Sequence, residues 1–99
     1  METTKIVFSD GNHGEIQLFS DHERVGKMDI SMADGKLRVY HTEVNKAYEG
    51  KGFAKLLLQQ LVSYARENNL RIIPLCPYVL AQFKRYPNDY ANFWLKKQM

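Results

Sequence analysis

Glu49-Gly50-Lys51-Gly52-Phe53-Ala54 runs straight into Lys55-Leu56-Leu57-Leu58-Gln59-Gln60-Leu61, and this stretch constrains the chain more than any other. Two glycines one residue apart, set directly before a strong helix, make a turn whose successive backbone N–H groups can converge on one concavity. The first turn of the helix adds N–H groups without intrahelical partners and the positive end of the macrodipole. Together they suit an anionic oxygen cluster, most often a phosphate or pyrophosphate. The same stretch also reads as a plain strand-to-helix connection.

The flanking periodicities show where the turn sits. Before it, Lys5-Ile6-Val7-Phe8 is a short β-rich run closed by Ser9-Asp10-Gly11-Asn12. Residues 14–19 alternate through Ile16 and Leu18, and 25–32 alternate through Met28, Ile30 and Met32. Asp34-Gly35 then joins that run to residues 37–44, a strong hairpin signal. After Val44 the period changes. Leu56, Leu57, Leu61, Tyr64 and Ala65 recur every three or four residues, an amphipathic helix from about Gly52 to Asn68. Leu70–Leu75 reads as a strand parallel to the one before the helix, and at Pro74, which lacks an N–H, it should either lose ladder bonds or lie beside a splayed neighbour. Pro77 opens a second helix over Tyr78–Tyr86, halted by Pro87, and residues 88–94 read as a short terminal helix. The expected class is α+β: an antiparallel β-meander, a β-α-β unit, a second helix and a short terminal helix. With 99 residues there is one domain and one core.

The bulk properties exclude several classes. An apolar content of 44% with 25% charged residues is globular rather than disordered. No apolar run approaches the roughly 20 residues of a membrane span. The N-terminus has an early acid and no signal-type apolar stretch, so a cytoplasmic location is expected. One cysteine and three dispersed histidines offer no metal-ligand spacing, and no metal is expected. A net charge of +3 suits an anionic ligand. It suits weak nucleic-acid binding too, with Tyr78, Tyr86, Tyr90, Phe93 and Trp94 as stacking residues. Their helical spacing beside Leu80, Phe83 and Leu95 points instead to the core, so nucleic acid is not the expected partner.

Three further residues carry chemistry. Cys76, between Pro74 and Pro77 at a strand end before a helix, is placed for a lowered thiol pKa and nucleophilic work, or is a small buried apolar residue. His41 and Glu43 share one face of their strand, with Thr42 opposite. If that face lines the cleft, His41 is a base toward an amine or Cys76, and Glu43 orients it or acts through water; otherwise both are solvent-facing. Lys51 and Lys55 flank the turn as phosphate contacts, whereas Lys84, Arg85, Lys96 and Lys97 read as a solvated face.

The turn resembles the acyl-CoA pyrophosphate loop of the GCN5-related N-acetyltransferases, whose pattern is Arg or Gln, two residues, Gly, one residue, then Gly or Ala. Gly52 and Ala54 fill the last two fixed positions, Val44 stands at the apolar place of the preceding strand, and Glu49 replaces the Arg or Gln. A carboxylate there repels a pyrophosphate unless it points away. His41-Thr42-Glu43-Val44 before the loop and Pro74-Leu75-Cys76-Pro77-Tyr78 after the helix extend the resemblance over residues 37–94. They are similar to a small single-domain subgroup that keeps a cysteine after the fifth strand. The resemblance implies acetyl-CoA or CoA held by Gly50, Lys51, Gly52, Phe53, Ala54 and Lys55. It also implies pantetheine amides paired along the strand at Val44, and Cys76 near the thioester. It implies acetyl transfer to an amine of a small molecule or protein, directly or through Cys76. A CoA-binding module without turnover is the alternative. Larger relatives shape the acceptor site with an N-terminal helical segment. Here that pocket is expected to be open, completed by a partner or second copy, or absent, in a monomer or weak dimer.

Overall fold

A computed structural model describes residues 1–96. Its first half is a meander of four antiparallel strands: β1 (Glu2–Asp10), β2 (His13–Ser20), β3 (Glu23–Ala33) and β4 (Lys36–Val44). Two of the hairpins turn on residue pairs with both φ angles positive, Asp21-His22 at 50° and 73° and Asp34-Gly35 at 54° and 72°. This is the two-residue turn whose twist matches that of paired strands. A 3-10 turn (Lys46–Tyr48) leads through the glycines to α1 (Phe53–Glu67). Asn68 ends that helix by donating its side-chain amide to the Tyr64 carbonyl at 2.9 Å, and Asn69 takes φ 54°. Then β5 (Arg71–Pro74) pairs in parallel with β4, and α2 (Pro77–Arg85) follows with Pro77 in its first turn. The five strands stand in chain order.

The inward residues of the sheet and the buried residues of both helices form one cluster. It joins Ile16, Leu18, Met28, Ile30, Leu37, Val39 and Ile72 to Leu57, Leu58 and Leu61 of α1 and to Val79 and Phe83 of α2. Apolar burial on one face drives the sheet against its helices. The other face carries Glu15, Lys27, Asp29, Arg38 and Glu43.

Beyond α2 the structure departs from the expected terminal helix. Residues 91–93 form turns, and Trp94 makes a parallel bridge with Ile72. Ile72 N–H donates to the Phe93 carbonyl at 2.6 Å, and Leu95 N–H donates to the Ile72 carbonyl at 2.9 Å. The short β5 would otherwise present an open edge, and its unpaired groups capture an extended partner rather than a helix. The aromatic residues divide accordingly. Phe83 is fully buried and stacks on Tyr90 at 4.5 Å, with Trp94 tilted against it at 5.7 Å. Tyr78, Tyr90, Phe93 and Trp94 are partly buried and pack against the core, as their spacing predicts, whereas Tyr86 is exposed.

Candidate functional site

Two irregularities of β4 build the site. Leu37 and Val39 point into the core, and strict alternation would send His41 and Glu43 in after them. β4 instead bulges: its pairing steps from Ile30–Val39 to Asp29–His41, which leaves Tyr40 without its own partner. Tyr40 and His41 therefore both face outward, and Thr42 and Val44 return to the inner side. The second irregularity is a parting of strands. The parallel ladder ends at Val39–Pro74, although β4 runs on to Val44. The last link is the Cys76 N–H donating to the Val39 carbonyl at 2.8 Å. The Leu75 N–H, next in turn to face β4, bonds back to the Ile73 carbonyl at 3.1 Å instead, and the chain turns into α2. The Pro74 nitrogen, like the Ile72 N–H that bonds Phe93, faces away from β4. On its other side Asn45 N–H reaches the Val25 carbonyl at 2.8 Å. By the alternation of an antiparallel ladder, Thr42 and Val44 therefore aim their backbone groups into the gap left by β5.

A cleft of about 350 Å³ opens at this gap. Thr42, Glu43 and Val44 form one wall, Tyr78 of α2 another, and the turn from Tyr48 to Lys55 closes the end. Gly50 and Gly52 take φ 83° and 78°, and a Cβ at either would meet nothing within 4 Å. The backbone angle, and not space, thus requires glycine there. Gly52 caps α1 with no side chain on the helix N–H groups and no acidic residue in the first turn. The N–H groups of Phe53, Ala54 and Lys55 are left for a ligand, because the first intrahelical bond runs from Leu56 N–H to the Gly52 carbonyl at 3.2 Å. Such an end suits phosphate oxygens.

Among the sequence candidates, Glu43 (at the outer rim), Val44, Gly50, Gly52, Phe53, Ala54 and Lys55 all line this cleft, as does Glu49; Lys51 is exposed on the turn beside it. Cys76 lies behind the wall, 2% exposed, with its thiol hydrogen-bonded to the Thr42 hydroxyl at 3.3 Å. His41 does not meet Cys76. It sits with Glu43 on the outer face, Nε2 to Oε1 3.5 Å, both more than half exposed. The expectation that His41 takes the cysteine's proton is corrected on this point, since the bulge puts Thr42 at the thiol. Lys84 and Arg85 are exposed at the end of α2, and Lys96 lies 4.7 Å over the Trp94 ring. Lys97 is outside the described residues.

Sequence reasoning missed Thr42 and Tyr78. Tyr78 packs against the core, as its spacing predicts, and its other side lines the cleft, which the spacing does not reveal. Burial, with smaller contributions from Tyr90 and Cys76, pushes its hydroxyl above the ordinary tyrosine value, so it keeps its proton at neutral pH. A parity count through a bulge was the signal needed for Thr42, and the sequence does not mark the bulge.

Residues 15–93 match the family model of the GCN5-related N-acetyltransferases. No curated protein matches the chain. Among solved structures, the Escherichia coli ribosomal-protein-S18-alanine N-acetyltransferase superposes with TM-score 0.69 at 10% identity, covering 75% of this chain and 66% of its own. A GCN5-like protein from Staphylococcus aureus gives TM-score 0.67 at 23% identity, covering 95% and 90%. The PaiA N-acetyltransferase from Thermoplasma acidophilum, solved in complex with coenzyme A, gives 0.60 at 14% identity, covering 79% and 50%. The chain thus spans 66% of the length of the first of these and half of the last, and these likenesses establish the fold.

Proposed function

The chain belongs to the GCN5-related N-acetyltransferase family, and from that premise we propose that it binds acetyl-CoA and transfers the acetyl group directly to an amine. One observation carries the reading. The N-terminus of α1 is uncapped, lies beside two left-handed glycines, and opens onto the gap between β4 and β5. The coenzyme A complex of the Thermoplasma relative supports the same ligand.

In this reading the Phe53, Ala54 and Lys55 N–H groups receive the pyrophosphate, and the Lys55 ammonium adds charge. The backbone groups of Thr42 and Val44 pair with the pantetheine amides. The acceptor approaches from the outer face, where His41 and Glu43 stand as a base pair for the amine. As the new N–C bond forms and the thioester C–S bond breaks, the amine proton passes to His41 or, through water, to Glu43. Tyr78 gives its proton to the leaving thiolate. Cys76 is buried under Thr42, which supports direct transfer over a relay through its sulfur.

The test is thermal melting with CoA and acetyl-CoA, followed by intact mass and an amine screen. A ligand at a hundred times its Kd stabilises by about 2.7 kcal/mol, which raises the Tm of a domain this size by roughly 10–20 °C. No shift with either ligand at millimolar concentration refutes the reading. One acetyl group gained on the protein and lost in Cys76→Ala replaces direct transfer by the covalent route. Binding with no acetylated amine leaves a CoA-binding module.

A further inference from the structure

The outer face of the sheet divides into a neutralised end and an unneutralised one. Near the cleft, the carboxylates of Glu15, Asp29 and Glu43 surround the Lys27 ammonium at 3.8, 3.3 and 4.0 Å. Arg24 adds a second partner to Glu15 at 3.2 Å, and His41 a second to Glu43. Further along β4 the balance fails. Lys36 stands directly opposite Arg71, and Arg38 opposite Ile73. Leu37, Val39 and Ile72 are core residues, so Lys36, Arg38 and Arg71 share the outer face. Three cations are thus side by side, an arrangement that costs stability in a sheet. None of them forms an ion pair among the described residues. Arg71 donates to the Trp94 carbonyl at 3.0 Å, which leaves its charge uncompensated. Asp34 lies in the adjacent turn without pairing to them, and Lys5 stands alone on the distant β1. Between the two ends Tyr40 is 39% exposed, held by the Ser31 hydroxyl at 2.7 Å and stacked with His13.

We propose that this strip along β4 is the track for a peptide acceptor, with its free amine at His41 and Glu43, an apolar residue over Tyr40, and acidic side chains at Lys36, Arg38 and Arg71. The inference rests on the acetyl-transfer reading above and names its substrate class. The spacing follows from strand geometry. Five residues of β4 separate the middle of the first pair from the middle of the second, roughly 16 Å at about 3.3 Å per residue, so the acids fall about four to seven residues from the amine of an extended peptide. At the cleft end Lys27 and Arg24 are already paired with carboxylates, so the free cations are confined to one end of the strip; this favours a peptide with acids at that end over the continuous polyphosphate of RNA.

The experiment uses the full chain, acetyl-CoA and two synthetic peptides alike through the third residue. One carries Asp and Glu at positions four to seven, the other Lys. The acidic peptide is expected to show a kcat/KM at least about tenfold higher, falling with added salt. The Lys36→Glu/Arg38→Glu double variant inverts the preference and leaves the CoA melting shift unchanged; Arg38→Gln weakens it if the double variant does not fold. Equal rates, a preference unmoved by these substitutions, or no turnover of either peptide while CoA still binds overturns the proposal alone. So does a single-stranded RNA that binds through the same cations and blocks the reaction. Absence of any CoA shift removes the acetyl-transfer reading, and this one falls with it.

Discussion

Gly52→Ala isolates the backbone of the anion cradle from everything else in the site. Gly52 has φ 78°, and the added methyl would meet no atom within 4 Å, so no steric clash contributes. What remains is the cost of holding an L-residue in the left-handed region, about 1–2 kcal/mol. At 4–8 °C per kcal/mol for a domain of this size, the Tm falls by about 4–16 °C. Gly35 provides the control: it has φ 72° and equally open space, but lies in the β3–β4 hairpin at the opposite end of β4 from the cleft. Gly35→Ala is expected to cost the same stability and to leave the CoA melting shift intact. Gly52→Ala loses both, because relief of strain rotates the N–H groups away from the cleft. Gly52→Asn, which tolerates the left-handed region, falls between wild type and Ala. The assay is thermal unfolding of each variant with and without saturating CoA, read with a CoA titration. Undiminished CoA affinity in Gly52→Ala at the expected loss of stability would refute the assignment of this turn to the phosphates.

Glu49→Gln removes the carboxylate that lines the cleft end and restores a residue type of the family pattern; CoA affinity should rise about two- to fivefold, for a helix-end charge effect of about 0.3–1 kcal/mol, and a titration in high salt should erase the gain. Tyr78→Phe keeps the ring in the wall but removes the proton given to the thiolate, so kcat falls by about a hundredfold or more with CoA affinity unchanged; an unaltered kcat excludes Tyr78 as the acid. Phe83→Ala empties a fully buried site between Tyr90 and Trp94 and should cost about 3–5 kcal/mol in urea unfolding; a loss below about 1 kcal/mol would mean that the C-terminal aromatics do not pack there. Burial is the first cause holding the Tyr78 and Tyr90 hydroxyls above the ordinary value of 10.0. The folded state therefore binds more protons than the unfolded chain in alkali, and their contribution to stability is whole below pH 10.0 and lost as pH climbs past it. Urea midpoints at about pH 9 and about pH 11 check the sign, and a flat comparison contradicts it.

Local chemistry determined much of this protein from the sequence alone. Asp34-Gly35 predicts its hairpin because both residues accept positive φ. Gly50 and Gly52 announce a turn that other residues strain to make, and the apolar period places α1 within one residue at each end. Pro77 opens α2, where its missing N–H costs no helix bond. These signals rest on the conformational limits of single residues or on contacts within a few positions. Only the tertiary structure decided the rest. The bulge at Tyr40 arises from the pairing of β4 with β3 over a whole strand, and it alone determines that Thr42 meets Cys76 while His41 and Glu43 look outward. Trp94 forms a bridge because the unpaired edge of Ile72, more than twenty positions away in the chain, offers it hydrogen bonds. The row of Lys36, Arg38 and Arg71 likewise exists only once β5 lies beside β4 in one particular register. Register and edge completion depend on partners distant in sequence, and no local propensity encodes them.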